Sequence, residues 1–107
     1  MFNFLRYFRF SSRSWKWKDV RKEHLKIQSE CQACGRKDDL EVHHIIPVHK
    51  DPSKELDPNN LITLCGKTCH LIFGHLMDYK SWNPNVEEDS ELYLSKIKMR
   101  PYHDKSN

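Results

Sequence analysis

The chain has 107 residues, 37% of them apolar, and 18 Lys and Arg stand against 15 Asp and Glu for a formal net charge of +3. That length suits one domain, and an apolar share below the usual ~45–50% leaves a small core that needs a staple, either a metal or a disulfide. No apolar run approaches the ~20 residues that span a bilayer, so no membrane is expected as a partner, while the mild basic excess is compatible with a phosphate-bearing one.

The first ten residues lack the long apolar centre and small-residue cleavage site of a secretory signal. The expected compartment is therefore the reducing cytoplasm, where paired cysteines serve as zinc ligands rather than disulfides. Residues 1–13 mix Phe2, Phe4, Tyr7, Phe8 and Phe10 with Arg6, Arg9 and Arg13. Such an arm suits nucleic acid, with arginines on phosphates and aromatics on bases; it equally suits a short element that docks its aromatics on the core. From Ser14 the pattern turns helical, with Trp17, Val20, His24 and Ile27 recurring at spacings of three and four. Ser14 is placed to cap a free backbone N–H, and the helix should stop near Gln28. Lys16, Lys18, Arg21, Lys22 and Lys26 fill other positions, a face that either follows phosphates or is simply solvated. His24 reads as a packed residue of the apolar stripe.

Cys31-Gln-Ala-Cys34-Gly35 has the form of a zinc knuckle. Two thiolates on a tight turn meet one ion at ~2.3 Å, and glycine relieves the backbone where it turns back. A thioredoxin-like redox pair would need a strand before it and a long helix after it. The knuckle's partners are Cys65 and Cys69, the first of them 31 residues beyond Cys34, a separation that accommodates an inserted hairpin. Leu40 to Val48 reads as a strand, His49 to Asn60 as a long loop with Pro52 and Pro58, and Leu61 to Leu64 as a second strand. Cys69 to about Tyr79 reads as a helix carrying Leu71, Ile72, Leu76 and Tyr79. Gly74 inside it costs ~1 kcal/mol and signals close packing or a local irregularity. After a turn at 81–86, Glu87 to Met99 reads as a final amphipathic helix whose acidic start and basic end suit the macrodipole. Leu92, Tyr93, Ile97 and Met99 are expected on its core side, and Pro101 ends it.

The ordered set His43-His44, Asn60 and Cys69-His70, framed by Cys31, Cys34, Cys65 and Cys69, resembles the HNH family of nucleases. The resemblance covers residues 14–80. It implies an α+β fold, a small single domain with a ββα-metal core, stapled by zinc and flanked by N- and C-terminal helices. The arm at 1–13 would precede that core, and a C-terminal helix and tail at 81–107 would follow. The implied activity is metal-dependent DNA endonuclease cleavage, hydrolysing phosphodiester bonds by a one-metal mechanism with a histidine general base. Carried over by position, His43 is a metal ligand, His44 the base, and His70 a second ligand. Asn60 is the central Asn, holding the base's tautomer or leaning on the metal loop. Many relatives place a further helical His four residues after the first; here position 74 is Gly and His75 stands five on, about 140° round a helix. His75 thus reaches the ion only if Gly74 marks an irregular turn. Cys65 and Cys69 are separated by three residues, where two are commoner.

The cofactors implied are one structural Zn²⁺ on the four cysteines and Mg²⁺ at the histidines, whose imidazoles also accept Mn²⁺, Ni²⁺, Co²⁺ or Zn²⁺. The partner implied is DNA, single- or double-stranded, with Arg13, Lys18, Arg21 and Lys22 as candidate contacts. A partner protein or a homodimer would supply the specificity that so small a domain lacks. With His44 as base, cleavage should rise with pH through about 6–7 and level off. The alternative is a non-catalytic zinc-stabilised module for DNA binding or interaction. It explains the cysteines and the charge but gives no reason for His43, His44, Asn60 and His70 to stand together. A third arrangement would put His70 in place of Cys69 in the zinc site. His49 and His103 fall outside the set.

Overall fold

A computed structural model describes residues 14–66 and 68–100; the arm at 1–13 with Arg13, and the tail with His103, lie outside the described residues. In chain order the elements are helix α1 (Trp17–Ile27), strand β1 (Leu40–His44), 3-10 turns at Pro52–Lys54 and Pro58–Asn60, strand β2 (Leu61–Cys65), a π-helical turn (His70–Gly74) and helix α2 (Val86–Lys98). This is a small α+β fold whose strand, strand, helical-turn order is the one expected of an HNH core.

Helix α1 starts behind Ser14, whose hydroxyl accepts the Lys16 N–H at 3.2 Å and whose carbonyl accepts the Trp17 N–H at 2.9 Å. It ends at Gln28, as the spacing suggests. Its inward face differs from the expected stripe: His24 is buried, Trp17 and Val20 are half-buried, but Ile27 is 83% exposed. Beyond Ile27, Gln28 adds polar contacts to the sheet. The Gln28 side-chain oxygen accepts the Thr63 N–H at 2.8 Å and the His24 ring N–H at 3.1 Å. The Gln28 carbonyl accepts the Thr63 hydroxyl at 2.8 Å. A polar side chain here satisfies the outer edge of β2, which an isoleucine cannot do.

The two strands pair antiparallel, Leu40 opposite Cys65, Val42 opposite Thr63 and His44 opposite Leu61. All five residues of β2 are buried. Strand β1 stops at His44, four residues short of the expected Val48. The reason is Asn60. Its carbonyl takes the Ile45 N–H at 2.8 Å, its side-chain oxygen takes the Ile46 N–H at 2.8 Å, and its amide donates to the Ile46 carbonyl at 3.0 Å. The strand's hydrogen bonds are thus met by a side chain, and Pro47, which lacks an N–H, opens a turn whose carbonyl accepts from Lys50 and Asp51.

The segment expected to be a regular helix to Tyr79 is instead the π-helical turn, closed by Leu76 and Met77 in left-handed conformation at φ 53° and 73°. Asn83 then ties it to α2, its N–H donating to the Gly74 carbonyl at 3.0 Å and its side-chain amide to Asp89 at 2.8 Å. The buried face of α2 is Val86 and Ser90, with Leu94 and Ile97 half-buried; Leu92 and Met99, expected inside, are 57% and 77% exposed. A small serine lets the helix approach closely, and this moves the inward face away from the bulkiest side chains. Cys31, Ala33, Ile62, Leu64, Cys65, Cys69 and Val86 form the core, with Cys34, Leu40, Ile45 and Phe73 packed against it. Among the described residues no helix is long and apolar enough to cross a membrane.

Candidate metal centres and active-site cleft

Four cysteines meet within the core. Their Sγ atoms all lie within 4.8 Å of one another, Cys34 and Cys65 being 3.9 Å apart, and none is in a disulfide. Each pair sits on a turn whose backbone points at sulfur: the Cys34 N–H lies 3.4 Å from Cys31 Sγ and the Cys69 N–H 3.5 Å from Cys65 Sγ. Gly35 follows with φ +83°, as a reversing knuckle requires. Burial pushes the Cys69 thiol up, reinforced by its Cys65 and Cys31 neighbours. Burial also acts on Cys65, but the Thr68 hydroxyl and the Cys69 N–H outweigh it and bring that thiol down to about 7. Four thiolates cannot share this space without a cation among them. The donor set is thus one that could hold zinc, closed and without an open position.

The second cluster is His43, His70 and His75, which offer one ring nitrogen each within 4.8 Å of the others. The His43 and His70 rings are 4.8 Å apart, His43 and His75 4.9 Å, and His70 and His75 4.9 Å. His43 comes from β1 and the other two from either end of the π-helical turn. The extra residue that a π turn winds in brings His75, five residues after His70, round to the same side. Gly74 makes the approach feasible, because a Cβ there would lie 3.0 Å from His43 Cε1 and 3.1 Å from His70 Cδ2.

Hydrogen bonds set the tautomers. His70 Nδ1–H donates to Glu41 Oε1 at 2.7 Å, and His75 Nδ1–H donates to the Ser81 carbonyl at 2.8 Å. Each ring therefore keeps its lone pair on Nε2. His70 Nε2 faces His43 Nδ1 at 3.0 Å, while His43 Nε2 is buried with no hydrogen-bond partner. Burial, followed by the charges of His70, His75 and His44, pushes the His43 pKa down to about 3. Burial also lowers His70, against the pull of Glu41. Three imidazoles whose ring nitrogens lie within 4.8 Å of one another are a donor set that could hold a divalent metal ion.

His44, the last residue of β1, lines the same cleft as the three histidines, a cavity of about 330 Å³. Its Nε2–H donates to the Glu55 carbonyl at 2.9 Å, so the ring carries its lone pair on Nδ1, and the Trp17 ring packs on it with centroids 4.6 Å apart. The structure thus gives the task of fixing the His44 tautomer to a backbone carbonyl. Asn60, expected near that ring or the metal loop, spends its side chain on Ile46 and on the Lys54 carbonyl at 3.2 Å, which shapes the loop that carries Glu55. His70 groups with the histidines and Cys69 with the cysteines, which gives no support to an exchange of one for the other.

Of the proposed DNA contacts, Lys18 and Lys22 are exposed on α1, Arg21 is half-buried with its guanidinium 3.5 Å from the Leu40 carbonyl, and none of the three lines the cleft. Its walls include His49, Tyr79, Lys80 and Trp82, and the Tyr79 ring lies 5.0 Å from His75. His49 stands outside the ordered set of the sequence, and Lys80 and Trp82 belong to no motif there. The fold-back that brings the last three over the site follows from the two left-handed residues, for which Leu76-Met77 gives no local signal. Glu41 was also missed, although its place two residues before His43 on a strand puts both on one face.

No curated protein and no solved structure matches the chain. A family model described as HNH endonuclease matches residues 31–75, a span that begins at the first cysteine of one cluster and ends at the last histidine of the other. Between Cys31 and His75, then, the chain is similar to the HNH endonuclease family.

Proposed function

We propose that the protein is a metal-dependent DNA endonuclease that hydrolyses phosphodiester bonds with one cation and His44 as general base. The observation that carries this reading is the cluster of three inward-turned imidazoles beside His44 in one open cleft. A zinc module built only to bind would have no use for it. The cysteine cluster takes one structural zinc. His43, His70 and His75 hold the second cation, with Mg²⁺ the working ion and Mn²⁺, Ni²⁺, Co²⁺ or Zn²⁺ acceptable to the same ligands.

That cation, when bound, supplies Lewis-acid stabilisation of the charge that builds on the phosphate and the departing oxygen. The remaining work falls to the chain itself. His44 takes a proton from the attacking water at Nδ1, the atom left with the lone pair once Nε2–H is given to Glu55. As the ring becomes charged, the Glu55 carbonyl stabilises the proton on Nε2, and Trp17 keeps the ring from turning. Asn60 acts at a distance by holding the turn that places Glu55. Lys80 on the cleft wall, with Lys18, Arg21 and Lys22 on α1 and Arg13 ahead of it, supplies positive charge for the DNA backbone.

The test is plasmid relaxation by purified protein with Mg²⁺, Mn²⁺ or EDTA, beside His44→Ala. Expected are cleavage that needs the added cation and a loss of at least ~100-fold in the variant. A wild type that binds zinc and DNA yet leaves the plasmid intact with every cation would favour the non-catalytic module.

A further inference from the structure

We propose that Glu41 is a positioning residue for the cation site: its carboxylate holds the His70 ring so that Nε2 presents its lone pair to the ion. The assignment rests on reading His43, His70 and His75 as that site. Glu41 and His43 leave the same face of β1, and Glu41 Oε1 meets His70 Nδ1 at 2.7 Å, the length of a charge-assisted bond. The bond is made on the ring nitrogen away from the cluster, so Glu41 orients a ligand rather than serving as one. A carboxylate on the far nitrogen of a metal-binding imidazole fixes its tautomer and raises its basicity. The Glu41 side chain is 50% exposed and that of His70 18%, so solvent screens the pair from the Glu41 side and limits what it adds to folding stability. Its effect is therefore on His70 rather than on the fold.

Gly66 supplies an independent observation. A Cβ at position 66 would stand 2.8 Å from Glu41 Oε2 and 2.9 Å from Cδ, so the carboxylate lies in the space that the missing side chain leaves. Gly66 has no left-handed φ, and its backbone conformation is open to alanine. Gly66→Ala would thus displace the carboxylate, the end of a flexible side chain, without changing any charge.

The experiment uses zinc-loaded protein as wild type, Glu41→Ala, Glu41→Gln and Gly66→Ala. Mn²⁺ affinity is read from the free-ion electron paramagnetic resonance signal, because manganese does not compete for thiolates. The tautomer of His70 is read from long-range ¹H–¹⁵N correlations before manganese is added. We expect Mn²⁺ affinity to fall by about 10–100-fold in Glu41→Ala and by less in Glu41→Gln, which keeps an acceptor, with Gly66→Ala weakened in the same sense. His70 should be the Nδ1–H form in wild type and in Glu41→Gln and a mixture in Glu41→Ala, at unchanged zinc content and circular dichroism. Unchanged affinity and tautomer in both Glu41→Ala and Gly66→Ala would overturn the role of Glu41 while leaving the cation site intact. A wild type that takes up no Mn²⁺ would overturn the site itself, and this assignment with it.

Discussion

At the scale of single residues, two positions stand out, one for the site and one for the fold. Gly74 is one, because the three rings converge only where no side chain intervenes. Gly74→Ala puts a methyl group against His43 and His70. The expected cost is about 1–3 kcal/mol of stability, typical of overpacking, and a drop in affinity for the second cation, read by urea denaturation and Mn²⁺ titration. An alanine variant as stable and as tightly binding as wild type would contradict the close approach. His24 is the other. Burial lowers its pKa, opposed by the bond to Gln28, so the fold holds it neutral. The unfolded chain takes up a proton near pH 6.5 that the fold resists. The stability His24 contributes is full above that pH and declines as the pH drops below it toward the depressed folded value. Against His24→Gln, the wild-type advantage in urea midpoint should be larger at pH 7.5 than at pH 5.5. A constant gap would contradict this.

At the scale of elements, what the sequence revealed was the residues whose chemistry is carried by type and spacing. Cys31, Cys34, Cys65 and Cys69 came together, and so did His43 and His70; His75 stood only on the condition of an irregular turn at Gly74, and the π-helical turn brings it to the other two. What stayed hidden depended on partners far along the chain. The end of β1 is set by Asn60, sixteen residues after His44, through bonds that no local pattern announces. The inward face of α2 was misread because Ser90 is buried for its size, which hydropathy does not register. The turn after His75 needs left-handed backbone at Leu76 and Met77, and neither residue type signals it. Met77 is 66% exposed, so its conformation costs energy without much packing in return. Met77→Gly should stabilise the protein by up to ~1 kcal/mol, the relief of the left-handed strain less the greater entropy of an unfolded glycine. Thermal denaturation would show it as a raised Tm; a lowered Tm would mean that the side chain holds the turn.

At the scale of the whole molecule, the core is too small to stand alone. Four of its eleven residues are cysteines, and the large aliphatic side chains buried beside them are Ile62, Leu64 and Val86. Zinc held by the four sulfurs would join the β2 end, the knuckle and the start of the π turn into one body. Removing it with a strong chelator, or by Cys34→Ser, should unfold the domain rather than slow it, seen as loss of the helical circular dichroism signal. A zinc-free protein that keeps that signal would contradict the staple.

Two separate cation sites, one of thiolates and one of imidazoles, are proposed for this chain, and native mass spectrometry counts them most directly. Wild type equilibrated with Mn²⁺ should carry one zinc and one manganese per chain, and a His70→Ala, His75→Ala double variant should carry the zinc alone. A wild type that carries only zinc, or a double variant that keeps its manganese, would contradict it.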